Sequence, residues 1–196
     1  AERQQNIPKP DISQLKIENR VINQSTDNYY RYESKEISPM PIPGLPGSYV
    51  ANASEHDKMG DTTHLPDRHV EMTERRFKKL EVLKDSPYEY INGESEIILM
   101  PWGGSKGPGF EAFKKLRDED FDLGWAYTMY LNPLSEKLLT KLQSKKLVIV
   151  PELNYLGQFS SLLRSQGLNA QSITQYTGLP FKVQYLIDKI TELTNS

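Results

Sequence analysis

Four short strand-like runs separated by amphipathic stretches constrain this chain more than any other feature. They are EIILMPW (96–102), GWAYTMYLNP (124–133), KLVIVPELN (146–154) and AQSITQYTG (170–178). Runs of this length suit strands, and a nearly continuous apolar run suits a strand covered on both faces. Between and after them lie GPGFEAFKKLRDED, SEKLLTKLQS, YLGQFSSLLRSQG and PFKVQYLIDKITELT. In the first, Phe110, Phe113 and Leu116 share one helical face; in the last, Val183, Leu186, Ile187, Ile190 and Leu193 do so. Ser135 is expected to cap the second of these helices, and Pro180 to lie in the first turn of the last. Strands alternating with helices mean βαβ units, right-handed crossovers and a mostly parallel sheet. The expected class is α/β, a three-layer domain, with the strand order left open.

Upstream the pattern is different. Residues 1–68 hold seven of the 13 prolines, four of them in SPMPIPGLPG. Proline fixes φ, removes a backbone donor and pushes its predecessor toward extended geometry, so helix and central strand are both excluded there. Ile7, Ile12, Leu15, Ile17, Val21 and Ile22 are too scattered to form a core. Tyr29, Tyr30, Tyr32, Ile37, Met40 and Ile42 could pack on a neighbouring surface. The expected organisation is therefore an extended arm over 1–68, with a short strand at 49–53, followed by an α/β domain over 69–196. A helix capped by Asp67 is expected to run to about Asp85, with Val70, Phe77, Leu80 and Leu83 on one face.

The bulk composition removes several functions. Lysines and arginines number 24 against 26 aspartates and glutamates, for a net charge of −2. That balance gives no reason to expect nucleic acid or an anionic membrane surface. No run approaches the length of a membrane span. The N-terminus AERQQNIPKPD has no apolar segment of the signal-peptide kind. There is no Cys, which excludes disulfides, thiol nucleophiles and cysteine-held metal sites within the chain. That absence fits a reducing compartment, and a cytoplasmic protein is expected.

Three patches carry polar residues that chemistry could use. His56, His64 and His69 lie in one window with Glu55, Asp57, Asp61, Asp67, Glu71 and Glu74. His64 and His69 are five residues apart across Pro66, so they do not share a helix face as paired metal ligands would; the expectation is no metal site. WGGSKGPGF is a glycine-rich passage from strand to helix, where phosphates can be cradled. It fails the P-loop pattern, and Pro108 occupies a position that would have to donate an N–H. A strand–helix turn with close packing is expected, and a free-standing module binding a phosphate-bearing small molecule at Gly103–Gly109 is the alternative. In VPELNYLGQF, Glu152 and Asn154 leave the C-terminal end of a buried strand, where α/β proteins place functional groups. Asn154 also suits a helix cap, and no nucleophile–base pair accompanies it.

Taken in order, ISPMPIPGLPGSYVANASEHDKMG, HVEMTERRFKKL, PWGGSKGPGFEAF and VPELNYLGQFSSLLR resemble the C-terminal part of the alpha subunit of 2-oxoacid:ferredoxin oxidoreductases, most of all the 2-oxoglutarate type. The matching positions are Ser38, Pro39, Pro43, Gly44, Glu55, His56, Gly60, His69, Met72, Arg76 and Lys79, then Trp102, Gly103 and Gly107, then Glu152, Asn154, Gly157 and Gln158. The chain departs from the pattern in reading WGG where the family usually has WGS. The resemblance implies an α/β domain similar to the C-terminal domain of transketolase, following a pyrimidine-binding domain not contained in this sequence. For the full enzyme it implies conversion of a 2-oxoacid and coenzyme A to an acyl-CoA and CO₂, with thiamine diphosphate, an iron–sulfur cluster and ferredoxin as acceptor. A beta subunit would bring the diphosphate site and the cluster. The implied role of this chain is assembly, with no catalytic, cofactor-binding or metal residues of its own. On this reading Glu55, His56, Gly60, His69, Arg76, Lys79, Trp102, Gly103, Gly107, Glu152, Asn154, Gly157 and Gln158 are structural or interface positions.

Overall fold

A computed structural model describes residues 11–14, 22, 29–33, 38–44, 48 and 52–195. The chain divides into two compact units, one over Arg3–Val82 and one over Leu83–Ser196. The first helix therefore groups with the N-terminal unit, whereas the change of pattern at His69 assigns it to the second.

The second unit is built on five strands: β1 (Glu89–Ile91), β2 (Ile97–Leu99), β3 (Gly124–Tyr127), β4 (Leu147–Glu152) and β5 (Ala170–Thr174). Their order is β1-β3-β2-β4-β5. All four of these runs form strands, and all pair in parallel. β1 adds an antiparallel edge beside β3, with Tyr90 opposite Ala126. Its three residues EYI are too short to show a period, so nothing in the sequence announces it.

Helices α2 (Lys106–Asp118), α3 (Glu136–Gln143), α4 (Gln158–Ser165) and α5 (Val183–Thr194) cover both faces. The alternation along β4 explains why its sequence is apolar throughout. Val148 and Val150 join Leu138, Leu142, Phe159 and Leu163 of α3 and α4 in one core. Leu147 and Ile149 join Ala112, Phe113, Leu116, Leu186 and Ile190 of α2 and α5 in the other. This is the expected three-layer α/β class, with a mostly parallel sheet between two helical layers.

Several end signals act differently from expectation. Ser135 sits at the N-cap of α3 but makes no side-chain cap bond; its buried hydroxyl finds no partner among the described residues. Pro180 lies ahead of α5, which starts at Val183 after Lys182.

In the first unit, α1 (Pro66–Lys78) opens with Pro66 at its first position and Leu65 as N-cap, so Asp67 lies inside the first turn. Asp67 there still complements the positive helix end. A 3-10 segment, Lys79–Leu83, continues it. The face that Val70, Phe77 and Leu80 share is not a buried one. Phe77 is 67% exposed, Val70 54% and Leu80 41%, and Met72 is the residue that α1 buries. The helical period identified an apolar stripe, but Val70, Phe77 and Leu80 on it are exposed. Before α1, the described residues hold a 3-10 turn at Ile12–Gln14 and isolated bridges, Ile22 to Met40 and His56 to Thr62. The strand expected at 49–53 falls mostly on residues outside those described, and Asn52–Ala53 is not strand.

Candidate functional site

In this sheet order the chain leaves β2 toward β3 on one side and leaves β4 toward β5 on the other. The ends of β2 and β4 thus form a topological switch point, where open α/β sheets bind their ligands. The two C-terminal groups of motif positions meet there. Trp102, Gly103 and Gly107 follow β2; Glu152, Asn154, Gly157 and Gln158 end β4 and begin α4.

The polar groups at the end of β4 are committed to one another, whereas on the β2 side the buried Trp102 indole N–H has no partner among the described residues. Glu152 is fully buried. Its carboxylate accepts the backbone N–H of Phe159 at 2.8 Å and of Ser160 at 2.9 Å, and the Asn154 amide at 2.9 Å. The Asn154 side-chain oxygen accepts from Gly157 N–H at 2.7 Å and Gln158 N–H at 3.3 Å. The amides at the start of α4, which could cradle an anion, are therefore held by the chain's own carboxylate and amide. The N-cap of α4 is Gly157 and not Asn154, whose side chain reaches the first amides from three residues upstream. Asn154 shares these amides with Glu152, which the sequence placed only as a candidate functional carboxylate. Gly157 adopts φ 63°, and an added Cβ would lie 2.7 Å from the Ser172 hydroxyl oxygen, so both conformation and space call for glycine. Gln158 is exposed at the start of α4.

On the β2 side, Gly103–Ser105 forms a 3-10 turn that runs into α2. Ser105, which the sequence did not single out, is buried and ties the two strand ends together. Its hydroxyl oxygen accepts Trp102 N–H at 3.1 Å and lies 2.7 Å from the Trp102 carbonyl and 2.8 Å from that of Pro151. The Trp102 ring meets Phe159 of α4 edge-on, with centroids 6.2 Å apart. Gly103 has φ 53° and open space around it; Gly107 is likewise unobstructed. The glycine that packs closely is Gly109, where a Cβ would come within 3.2 Å of Pro101. A cavity of about 350 Å³ beside this loop is lined by Glu89, Lys106, Gly107, Phe110 and Glu111. Lys106 is paired with Glu89 at 2.7 Å, and Trp125 donates its indole N–H to the same carboxylate at 3.1 Å. Lys106, and then the indole, hold the Glu89 carboxyl below its usual range against the opposing effect of burial. With two carboxylates in its wall and its lysine taken, this cavity does not support a phosphate site at Gly103–Gly109.

The remaining motif positions lie in the first unit. Glu55 gathers His69 and Arg76 from α1: Arg76 contacts both carboxylate oxygens, at 3.0 and 2.8 Å, and His69 Nδ1 lies 2.6 Å away. A two-pronged guanidinium–carboxylate pair is the strongest surface form of this contact. Chiefly through Arg76, the Glu55 carboxyl is lowered to about 2. His56 places Nδ1 2.9 Å from the Asp57 carbonyl and its ring 4.0 Å from that of Tyr32. Asp57 closes the turn by accepting N–H groups from Met59, Gly60 and Asp61 at 2.8–3.2 Å. Gly60 supplies φ 100° there, and Asn52 donates to its carbonyl. The spacing Asp57-x-x-Gly60 is a turn signal that sequence reasoning could have used. Lys79 is exposed; burial, then the charges of Arg75 and Arg31, lower its pKa. Among the described residues no group of three His, Asp or Glu could hold a metal ion, and no helix is long and apolar enough to cross a membrane.

No family model matches the chain. It is similar to curated oxidoreductase subunits along nearly all of its length. It is 25% identical to 2-oxoacid:ferredoxin oxidoreductase 1, subunit alpha, of Aeropyrum pernix over 97% of this chain and 32% of that one. It is 32% identical to 2-oxoglutarate oxidoreductase subunit KorA of Mycobacterium tuberculosis over 71% of this chain and 22% of that one. Among solved structures, the 2-oxoglutarate:ferredoxin oxidoreductase of Magnetococcus marinus, determined with 2-oxoglutarate, coenzyme A and succinyl-CoA bound, superposes with a TM-score of 0.81. It is 30% identical, over 95% of this chain and 34% of that one. The chain thus spans about a third or less of the length of these relatives.

Proposed function

We propose, from the kinship of this chain with the alpha subunits of 2-oxoacid:ferredoxin oxidoreductases, that it serves as an assembly part of such an enzyme. The full enzyme would oxidatively decarboxylate a 2-oxoacid, with coenzyme A, to an acyl-CoA, passing electrons to ferredoxin in the cytoplasm. The observation that carries this reading is similarity over 95% of the chain to an enzyme of that activity. It is joined by a switch-point crevice in which Glu152 and Asn154 hold the first amides of α4. Residues 69–196 would be the α/β domain similar to that of transketolase, and the preceding residues the arm that joins it to a pyrimidine-binding domain. Thiamine diphosphate and an iron–sulfur cluster would be held elsewhere, by a beta subunit among others. The donor set here does not fit a cluster, because cluster iron is held by Cys thiolates and this sequence has no Cys.

In this role Glu55, His56, Gly60, His69, Arg76 and Lys79 fix the arm's last turn onto α1. Trp102, Gly103, Gly107, Glu152, Asn154, Gly157 and Gln158 shape the strand ends. The test is co-expression of the chain with the beta subunit of a 2-oxoglutarate:ferredoxin oxidoreductase. Expected are stoichiometric co-purification and, for the chain alone, no coenzyme-A-dependent reduction of a viologen dye by 2-oxoglutarate. Turnover by the chain alone, or no association with any such subunit, overturns the proposal.

A further inference from the structure

The turn that ends the edge strand β1 reads Asn92–Gly93, the one Asn–Gly pair in the sequence. The fold requires both halves of it. Asn92 holds φ 49°, a left-handed backbone that asparagine adopts more readily than most residues. At position 93 an added Cβ would overlap the Tyr90 ring, so only glycine fits. The Asn92 side-chain amide donates to the Leu123 carbonyl at 2.8 Å and lies 3.4 Å from a carboxylate oxygen of Asp122. It thus latches the end of β1 to the residues that lead into β3, the strand with which β1 pairs.

Asn–Gly is also the least durable setting for an asparagine. Without a Cβ, glycine leaves its own nitrogen open to the carbonyl carbon of the preceding side chain. Three observations make that nitrogen reactive here. The Gly93 N–H meets no acceptor among the described residues. Ser95 N–H donates to the Asn92 carbonyl at 3.2 Å, drawing electrons from the peptide group to which the nitrogen belongs. The Lys145 ammonium donates to the Gly93 carbonyl, and its charge favours an amide that has lost its proton. Asn92 and Gly93 are both half-buried, so water reaches them.

We propose that Asn92–Gly93 is a modification site of the folded chain: water, without an enzyme, converts the Asn92 amide to a carboxylate, and the product unlatches β1 from β3. Hydroxide takes the Gly93 amide proton, and the nitrogen attacks the side-chain carbonyl carbon of Asn92. A C–N bond forms and closes a cyclic imide. The bond to the side-chain nitrogen breaks, and that nitrogen leaves as ammonia with a proton from water. A second water adds to either carbonyl of the ring and opens it, giving aspartate or isoaspartate. Nothing is oxidised or reduced. Either product replaces the donor to Leu123 with a carboxylate that faces a carbonyl and the Asp122 carboxylate. Isoaspartate also draws its Cβ into the main chain and lengthens the turn. The inference does not rest on the proposed enzymatic role.

In the experiment the full 196-residue chain is kept for weeks at body temperature in mildly alkaline buffer. An isoaspartate methyltransferase then labels isoaspartyl residues with methyl groups, and peptide mapping by mass spectrometry locates them. Label should accumulate in the peptide carrying residue 92, more slowly at mildly acidic pH, and should be missing there in Asn92→Gly. No label at residue 92 in native buffer overturns the site, whether or not the chain in urea acquires it. So does a rate indifferent to pH. The unlatching is read by hydrogen exchange. In Asn92→Asp the amides of Glu89–Ile91 should exchange about tenfold faster or more, because the Leu123 carbonyl has lost its donor, and those of 148–150 should be unchanged. Aged parent chain, separated from unreacted chain by its added negative charge, should show the same change without any substitution. Unchanged exchange in β1 of the aged chain overturns the unlatching. None of these outcomes bears on the enzymatic reading, and failure to bind a beta subunit would leave the modification site untouched.

Discussion

At Glu152 a fully buried carboxylate is tolerated because every contact it makes is a donor aimed at it. Glu152→Gln keeps the shape but turns half of the acceptor group into a donor facing backbone N–H groups. A loss of about 1–3 kcal/mol is expected, read as a lower midpoint in urea unfolding; an unchanged midpoint would show that the amides at the start of α4 are satisfied without the charge. Gly157→Ala should cost at least about 1–2 kcal/mol from its left-handed backbone alone, and more from contact with Ser172. Ser172→Ala beside it should recover a fraction of the steric part only, because the Ser160 hydroxyl oxygen at 2.9 Å and the Cβ of residue 172 at 3.1 Å still crowd the added methyl. Glu55 belongs to the same scale. Its carboxyl is lowered from 4.5 to about 2, with Arg76 the main cause. The stabilisation is complete above pH 4.5 and is lost as pH falls through about 2. Glu55→Gln should therefore speed hydrogen exchange at the amides of 57–63 at neutral pH, and the difference from the parent should shrink between pH 4.5 and 2. A difference that stays constant through that window would mean the carboxylate charge is not what holds the turn.

At the level of elements, β4 is the test of the architecture. Ile149→Ala should cost about 2–5 kcal/mol, because Ile149 is fully buried between the sheet and the helices of one face. A melting temperature within a degree or two of the parent would remove β4 from the centre of the sheet. β4 was the most legible of the parallel strands because a strand covered on both sides must be apolar at every position, as LVIV is; β5, the polar edge strand AQSIT, was placed by its position between two helical stretches. β1 was not, since Glu89, Tyr90 and Ile91 carry no period. α1 was legible as a helix but not in its burial. The spacing of Val70, Phe77 and Leu80 states that a face is apolar, not whether this chain covers it. The crevice shows the same limit. Glu152 and Asn154 stood out at a strand end, but whether they await a ligand or serve α4 depends on where the amides of 157–160 fall, which only folding decides. Ser105 gave no signal, because a serine that bridges two strands looks in sequence like any turn serine.

On the scale of the molecule, the residues named in both cores lie between Tyr88 and Leu193. Residues 83–196 expressed alone should therefore melt in one cooperative transition; a broad, gradual loss of circular dichroism would show that they need the preceding unit. The two cores are separated only by the sheet, and β4 contributes Leu147 and Ile149 to one and Val148 and Val150 to the other. Neither helical layer can then loosen without exposing a face of the same strand. Slow breathing confined to one side would leave half of β4 against water, which costs about 25 cal/mol for each Å² of apolar surface uncovered. The amides of Val148, Ile149 and Val150 should accordingly exchange only through complete opening of the unit, making them internal gauges of its total stability.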